Sequence, residues 1–360
     1  MGIAGNRWLY RVDPRSLGRT FVRRLAGWFL LFVGSELVGA KRKTSASVAV
    51  GQGVIGFGLV TTGVVATLAT ILGFFGSTWW LFDFAANYRA HLAVLLLMVA
   101  LLYALLFSKA TGLFFMAMAA LNALVVLPLY LGSPEPAATG DSMTIVSFNV
   151  EQRSSIKDIT FRWVDTVDAD LVLFLDSTED WADFPIDTSA YSIESQIPAD
   201  RTYGITIMSP NGLDTQLIRA SRLRDSVVRV EATIGDQPVA IYAVQARSSS
   251  NETDADDRDE YLAEVGRMAR AESIPTIVVG DFQATPWSHA FRDLSSQAEL
   301  TNSLEGFGLQ TTWPADQWAF MRLPLDHLLH SEELTTVDRY LGPMFGVKHR
   351  PIVVTVGVAS

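Results

Sequence analysis

The chain has 360 residues, with 28 Lys and Arg against 38 Asp and Glu, and 49% of it is hydrophobic, which is high for a purely soluble protein. It contains no cysteine, so disulfides and thiolate metal sites are excluded. Residues 1–140 carry a net charge of +7 and residues 141–360 a net charge of −17. This acidic second part is poorly suited to attracting long nucleic acid by electrostatics.

Residues 1–47 are basic and are predicted to form a cytoplasmic N-terminal segment. Within it, Leu25–Ala40 is apolar but short and contains Glu36. This pattern favours an amphipathic helix at the membrane surface, with a strained membrane span as the alternative. A cleaved signal peptide is not expected, because no Ala-x-Ala-like site follows the apolar run.

Three uncharged segments follow, each near or above the roughly 20 residues that cross a bilayer. They are predicted as the spans Val48–Phe75, His91–Phe107 and Leu113–Leu131. Gly76–Ala90 is predicted as a loop whose aromatic residues suit the membrane–water interface. A buried core helix is the alternative for any one segment, and three in succession make it less favoured. The excess of basic residues before the first span predicts a multi-pass protein of the cell membrane whose C-terminal part is extracytoplasmic.

Residues 133–142 contain two prolines and a glycine and are predicted to be a linker to a soluble domain at 143–360. That domain begins with a strand ending at Asn149, a helix over Ser155–Val167 and a strand over Asp170–Asp176. This succession is typical of a βαβ unit.

Farther along, Ser226–Ile234 and Pro238–Ala246 alternate like the arms of a hairpin. The acidic stretch Ser248–Asp257 is predicted as a loop, followed by a helix over Arg258–Ala271 and a buried strand over Thr276–Val279. Hairpins mixed with βαβ units predict an α+β sandwich.

Several of the predicted strands end in polar side chains. A solvated strand end is the ordinary explanation of any one such residue. Their recurrence predicts a shared site, since ligands bind where strands end in sheets of this class. At one of these ends Gly280 is expected to let the backbone turn or approach another segment closely. The polar residues are Asn149, Asp176, Gln245, Asp281, Gln283, Asp326 and His349.

The order of the motifs Ser-Phe-Asn149-Val, Gly-Asp281-Phe-Gln283-Ala-Thr-Pro, Pro-Leu-Asp326-His and Gly-Val-Lys348-His349-Arg-Pro resembles the endonuclease/exonuclease/phosphatase superfamily. The resemblance covers residues 143–358 and is greatest to bacterial membrane-anchored members. It implies a four-layer α/β/β/α sandwich after about three membrane spans. It also implies hydrolysis of a phosphodiester or phosphomonoester that depends on Mg²⁺ or Mn²⁺.

The resemblance assigns roles residue by residue. His349 is expected to be the base and Asp326 its orienting acid, with Asp281 and Asn149 completing the catalytic set. Asp176 is expected to bind the metal. Substrate-binding roles fall to Gln283, Gln245 and Lys348.

Four positions depart from the family pattern. Asp176 stands where the family has glutamate, Gln245 where it has histidine or tyrosine, Gln283 where it has asparagine, and Lys348 where it has aspartate. One hypothesis is that the Lys348 ammonium replaces the cation or leaves the pocket silent; the other is that Lys348 points to solvent.

Two functions therefore remain open. The first is a membrane-anchored extracytoplasmic phosphoesterase, whose substrate is small or borne by the lipid bilayer. The second is a catalytically impaired pseudoenzyme that serves as a membrane-tethered binding or assembly module.

Overall fold

The computed structural model describes residues 46–132, 140–181, 191–197, 204–210, 212–219 and 226–360. The predicted helix over Leu25–Ala40 and most of the predicted linker lie outside these residues. The chain divides into two compact units. Unit 1 comprises Met1–Ala86 and Leu92–Asn122, and unit 2 comprises Asn87–His91 and Ala123–Ser360.

The first part of the described chain is helical. Three helical stretches are long and apolar enough to cross a membrane by length and composition, at Gly51–Thr78, Arg89–Leu106 and Lys109–Leu129. They agree with the three predicted spans to within a few residues. The helices are α1 (Ala46–Leu72), α2 (Trp80–Ala86), α3 (Arg89–Leu106) and α4 (Lys109–Val126).

The prediction of a loop over Gly76–Ala90 was wrong. A 3₁₀ turn over Gly73–Thr78 and α2 occupy most of this segment. Within unit 1, the buried amide of Asn122 donates a hydrogen bond to the Thr70 hydroxyl at 2.8 Å and so joins α4 to α1. A polar pair of this kind is a common link between helices in an apolar setting.

Among its described residues, unit 2 contains two six-stranded mixed sheets. The first has the strand order β11-β12-β1-β2-β4-β3, and the second has the order β5-β6-β7-β8-β10-β9. The strands are β1 (Ser142–Asn149), β2 (Leu171–Leu175), β3 (Ser192–Ile197), β4 (Ile205–Ser209), β5 (Asp214–Arg219), β6 (Ser226–Ile234), β7 (Gln237–Gln245), β8 (Thr276–Asp281), β9 (Thr301–Asn302), β10 (Asp326–His330), β11 (Leu334–Leu341) and β12 (Ile352–Val358).

The alternation of side chains along the strands creates three apolar layers. On β1, Ile145 joins the core between the two sheets, whereas Val146 and Phe148 pack beneath the helix α5 (Lys157–Val167). The second sheet is covered by α6 (Glu252–Arg270) and α7 (His289–Gln297) in the same way. The result is the expected four-layer α/β/β/α sandwich, so the predicted fold class is confirmed.

Helix α6 begins six residues earlier than predicted, because the acidic stretch before it is not a loop. The side chain of Asn251 caps the helix by accepting a hydrogen bond from the backbone N–H of Asp254 at 3.0 Å. Glu252 and Asp254 then lie in the first turn, where the helix dipole favours negative charge. The acidic residues that suggested a loop are therefore the start of the helix.

Candidate active site

The two sheets each contain one parallel strand pair, β1/β2 in the first and β7/β8 in the second. The carboxyl ends of these pairs meet across the sandwich. The amide of Asn149, at the end of β1, donates to the Asp281 carboxylate at the end of β8 at 2.9 Å. A second bond also runs from the first sheet to the second: the backbone N–H of Asp176, just after β2, donates to the side-chain oxygen of Gln245, at the end of β7, at 2.7 Å. The predicted strand ends therefore converge on one place.

Asp281 is the most enclosed of these residues, with no exposed surface. The amide of Gln283 donates to one of its oxygens at 2.7 Å, and the Gln283 backbone N–H donates to the other at 3.0 Å. Burial raises the pKa of Asp281 to about 6, with the charge of His349 opposing the rise and that of Asp326 adding to it. The carboxylate is thus held firmly and is costly to charge without a cation nearby.

Gly280 allows this placement, as expected from the sequence. Its φ is +146°, and a Cβ atom there would lie 1.9 Å from the backbone oxygen of Val244 on the neighbouring strand. No side chain fits at that distance, so only glycine lets β8 approach β7 so closely before Asp281.

Asp326 and His349 form a buried pair next to Asp281. The Nδ1 atom of His349 lies 2.9 Å from Oδ2 of Asp326, and its Nε2 atom lies 3.8 Å from Oδ2 of Asp281. The Thr312 hydroxyl fixes Asp326 by accepting from its backbone N–H at 3.2 Å. Behind it, the buried guanidinium of Arg339 donates to the Asp326 carbonyl at 3.3 Å.

The charge on His349 is set by its surroundings. Burial disfavours the protonated imidazole and is the largest influence, yet Asp326 and Asp281 together outweigh burial and raise the pKa to about 9. His349 therefore holds its proton at neutral pH as long as no other cation offsets the charge of the two carboxylates.

These three residues could hold a metal ion. One ligand atom from each of Asp281, Asp326 and His349 lies within 4.8 Å of the other two, and all three side chains are buried. The Oδ1 atom of Asp326 is buried without a hydrogen-bond partner among the described residues. Carboxylate oxygens are the donors that hard divalent cations prefer, so the arrangement fits such an ion.

Asp176, the predicted metal ligand, is not part of this group of three. It is partly buried, and its carboxylate accepts a hydrogen bond from the Gln152 amide at 2.9 Å. Burial raises its pKa, and the charge of Glu151 adds to the rise. Its side chain therefore borders the site without completing the buried cluster.

Glu151 is a site residue that the sequence reasoning missed. Its carboxylate accepts from the backbone N–H of Lys348 at 3.1 Å, and its charge raises the pKa of both Asp176 and His349. The only sequence signal was an acidic residue two places after Asn149. That signal is weak, because acidic residues are common just after strands.

The remaining predicted residues have different surroundings. Gln245 is buried, and its oxygen is used in fixing the backbone of Asp176, whereas Gln283 contacts Asp281 directly. Lys348 is exposed, and within the described part of the chain its ammonium forms no ion pair. The replacement of a cation by this ammonium between Asp176 and Asp281 therefore has no contact in its support and stays a hypothesis. The backbone of Lys348 helps to position the loop that carries His349, since its N–H donates to Glu151.

Backbone strain also concentrates at this site. Six described non-glycine residues have a positive φ, and four of them lie in the loops just described: Glu151, Gln152, Asp176 and Gln283. Such conformations cost roughly 1–3 kcal/mol each and cluster at functional sites, where the surrounding structure enforces them. Their position indicates that the surrounding structure imposes the geometry of this site at a cost in local backbone stability.

The sequence and structure were compared with known proteins. Residues 146–352 match the sequence model of the Endonuclease/Exonuclease/phosphatase family. Comparison with the curated proteins gave no match.

Two solved structures illustrate the similarity of fold. A functionally unknown conserved protein from Enterococcus faecalis is 14% identical, with a TM-score of 0.51, over 60% of this chain and 100% of that chain. TDP2 from D. rerio, complexed with a single-strand DNA product, is also 14% identical, with a TM-score of 0.50, over 60% of this chain and 99% of that chain. At these identities the similarity establishes the fold of unit 2 alone.

Proposed function

Because the chain belongs to the Endonuclease/Exonuclease/phosphatase family, whose members are phosphoesterases and nucleases, we propose that it hydrolyses a phosphoester bond in the pocket around Asp281 and His349. The observation that carries this proposal is the buried contact of His349 with both Asp326, at 2.9 Å, and Asp281, at 3.8 Å. A histidine oriented through Nδ1 by one carboxylate leaves Nε2 for proton transfer at the reacting centre.

The residues divide the work as follows. Asp326 holds His349 in a single orientation, and Thr312 and Arg339 hold Asp326. Asn149 contacts Asp281 from the opposite sheet and lies where its amide can also stabilise charge on the phosphate. Nε2 of His349 accepts a proton from the attacking water.

We assign a divalent cation, Mg²⁺ or Mn²⁺, to Asp281 and Asp326, with Asp176 and Glu151 at the border of the site. When bound, the ion neutralises negative charge on the phosphate. A cation held there would offset the carboxylate charge and weaken the attraction that keeps the proton on His349, which would favour His349 as a base.

The proposed setting is the outer face of the cell membrane, with the N-terminus cytoplasmic. The three apolar helices support membrane association, and the basic residues before them support this orientation. The net charge of −17 over residues 141–360 disfavours long nucleic acid. A small or lipid-borne phosphoester is therefore the proposed substrate, rather than a DNA duplex.

The test uses the full chain purified in detergent and assayed with Mg²⁺ or Mn²⁺ on bis-p-nitrophenyl phosphate, p-nitrophenyl phosphate, phospholipid and plasmid DNA. We expect turnover of at least one of the first three. We also expect His349→Ala to lower kcat/KM by ~10²–10⁴-fold, the usual contribution of a general base. Asp236→Asn, a change at an exposed turn, is the matched control and should retain activity.

The alternative is a binding or assembly module, and one observation favours it. Gln245 cannot act as a base, and its oxygen is already engaged by the backbone of Asp176. If no substrate is turned over and calorimetry detects no binding of Mg²⁺ or Mn²⁺, the enzyme proposal fails and the module remains.

A further inference from the structure

The loop between Trp313 and Leu323 presents large apolar side chains to the outside. Trp318 is 75% exposed and Phe320 is 71% exposed, and Met321 and Met344 beside them are also exposed. The loop is nevertheless well ordered by hydrogen bonds, including Met321 N–H to the Trp318 carbonyl at 2.8 Å. An ordered loop that holds aromatic residues outward is typical of an interaction surface.

This apolar loop borders the pocket. At its base, the backbone N–H of Ala315 donates to the Lys348 carbonyl at 2.5 Å, and that of Arg350 donates to the Thr312 carbonyl at 3.0 Å. Both bonds attach the loop to the residues on either side of His349. Whatever covers the loop therefore lies next to the segment that carries His349.

Unit 2 also includes the ends of two candidate membrane spans. The ring of His91, near the start of α3, lies beside the backbone of Phe320 in the apolar loop. Nearby, the side-chain oxygen of Asn87 accepts from the backbone N–H of Thr285 at 2.9 Å and from its hydroxyl at 2.8 Å. The apolar loop thus lies beside the residues that open a span.

The far end of the next helical stretch makes a similar contact. Leu129 is the last residue of the candidate span that contains α4. Its carbonyl accepts from the backbone N–H of Gly306 at 3.0 Å and from that of Gly308 at 2.7 Å. Because α3 and α4 are consecutive, the start of one and the end of the other emerge on the same side of a membrane that both cross. Phe320, Gly306 and Gly308 must then lie near that membrane surface.

We propose that Trp318, Phe320, Met321 and Met344 insert into the interfacial region of the bilayer that the helices cross. This proposal rests on the membrane anchoring in the proposed function and deepens it. Tryptophan is enriched at this depth because its ring is apolar and its N–H is polar. Arg322 contacts Met344 from beside the loop and can meet lipid phosphate. The pocket then opens at the level of the headgroups, so lipid-borne phosphoesters are the class of substrate it would receive.

The absence of native cysteine makes the test direct. Phe320→Cys and Leu217→Cys each provide one site for a nitroxide spin label in the full chain, reconstituted into phosphatidylcholine and phosphatidylglycerol vesicles. Leu217 is a comparably apolar, exposed residue on β5, at the edge of the second sheet opposite β9, and serves as the control. Power-saturation spectroscopy compares collisions of each label with lipid-soluble oxygen and water-soluble nickel chelate.

We expect the label at position 320 to favour oxygen over the nickel chelate, and the label at position 217 to show the reverse. Equal access of the nickel chelate to both labels would overturn the proposal. So would dipolar broadening between labels at position 320, which would show that a second copy of the chain covers the loop. Release of the chain by alkaline extraction would overturn the anchoring. None of these results depends on turnover, so they are separable from a failure of the hydrolysis assay.

Discussion

At the scale of single residues, the site consists of ionisable side chains whose charged forms are disfavoured by burial. Asp281, Asp326 and His349 are almost fully enclosed, and burial disfavours the charged forms of Asp281 and His349. The charge of His349 opposes this effect at Asp281, and the charges of Asp326 and Asp281 oppose it at His349. Arg339 contributes from behind by holding the Asp326 backbone. Removing one charge should therefore change the protonation of the others more than it changes the packing.

Asp326→Asn tests this coupling. The amide keeps the shape of the side chain but removes a negative charge 2.9 Å from His349, so the pKa of His349 should fall from its raised value. The imidazolium would then lose its proton at a lower pH than in the wild type. Titration by ¹⁵N NMR of imidazole-labelled protein, with EDTA present, measures the shift. Asp236→Asn should leave the His349 titration unchanged, and an equal titration in Asp326→Asn would contradict the assignment.

At the scale of elements, the site depends on how closely strands approach. Gly280 brings the backbone of β8 against the Val244 carbonyl on β7, which aligns Gln245 with Asp281 in the register of the parallel pair. On the other side of β8, the antiparallel pairing with β10 places Asp326 opposite Asp281. Gly280 thus sets the close approach of β7 and β8 beside the residue that both pairings place in the site.

Gly280→Ala should be among the most damaging single changes in the domain. It adds a Cβ atom 1.9 Å from a backbone oxygen at a φ of +146°, so the strands must separate. We expect the free energy of unfolding to fall by several kcal/mol, or the domain to fail to fold. Urea unfolding followed by tryptophan fluorescence measures this change.

Gly346→Ala is the matched control for this substitution. Its φ is +84° with no heavy atom within 4 Å of the added Cβ, so it introduces strain without a clash, costing about 1–2 kcal/mol. A similar decrease in the free energy of unfolding of the two variants would contradict this prediction, because it would show that small backbone shifts remove the clash at Gly280.

At the scale of the whole molecule, ligand binding should stabilise the folded domain. The buried cluster exists only after both sheets have packed, because Asp281 and Asp326 lie on the second sheet whereas His349 lies in the loop between β11 and β12 of the first. A metal that binds the folded state alone raises the melting temperature by mass action.

With Mn²⁺ at about 100 times its Kd, the expected stabilisation is about 2.7 kcal/mol. For a domain of this size that corresponds to roughly 5–10 °C in Tm. Differential scanning fluorimetry of the full chain should show this rise, and EDTA should reverse it. Asp281→Asn should abolish it, whereas Asp236→Asn should retain it. An undiminished rise in Asp281→Asn would place the metal elsewhere.

The sequence alone was sufficient for the features that local patterning determines. Uncharged runs of membrane-spanning length indicated the three apolar helices. Strands that end at Asn149 and Asp281, and one that begins near Asp326, indicated the sandwich and the meeting of these polar strand ends. These features were predictable because hydrophobic periodicity and turn residues act over a few neighbours. The edge strands β3, β5, β9 and β11 were not predicted. Strands β3 and β5 are partly exposed and have little apolar alternation to detect, and β9 has only two residues.

Tertiary structure decided which of the polar strand ends belong together. Asp176 resembles Asp281 in sequence, yet it borders the cluster, while His349 reaches it from a loop between β11 and β12. The exposure of Lys348 and the proximity of Glu151 to His349 likewise depend on loops brought together by the two sheets. The physical reason is range: the buried charge cluster and its pKa values arise from contacts between residues far apart in sequence, such as Asp281 and His349, which no local pattern encodes.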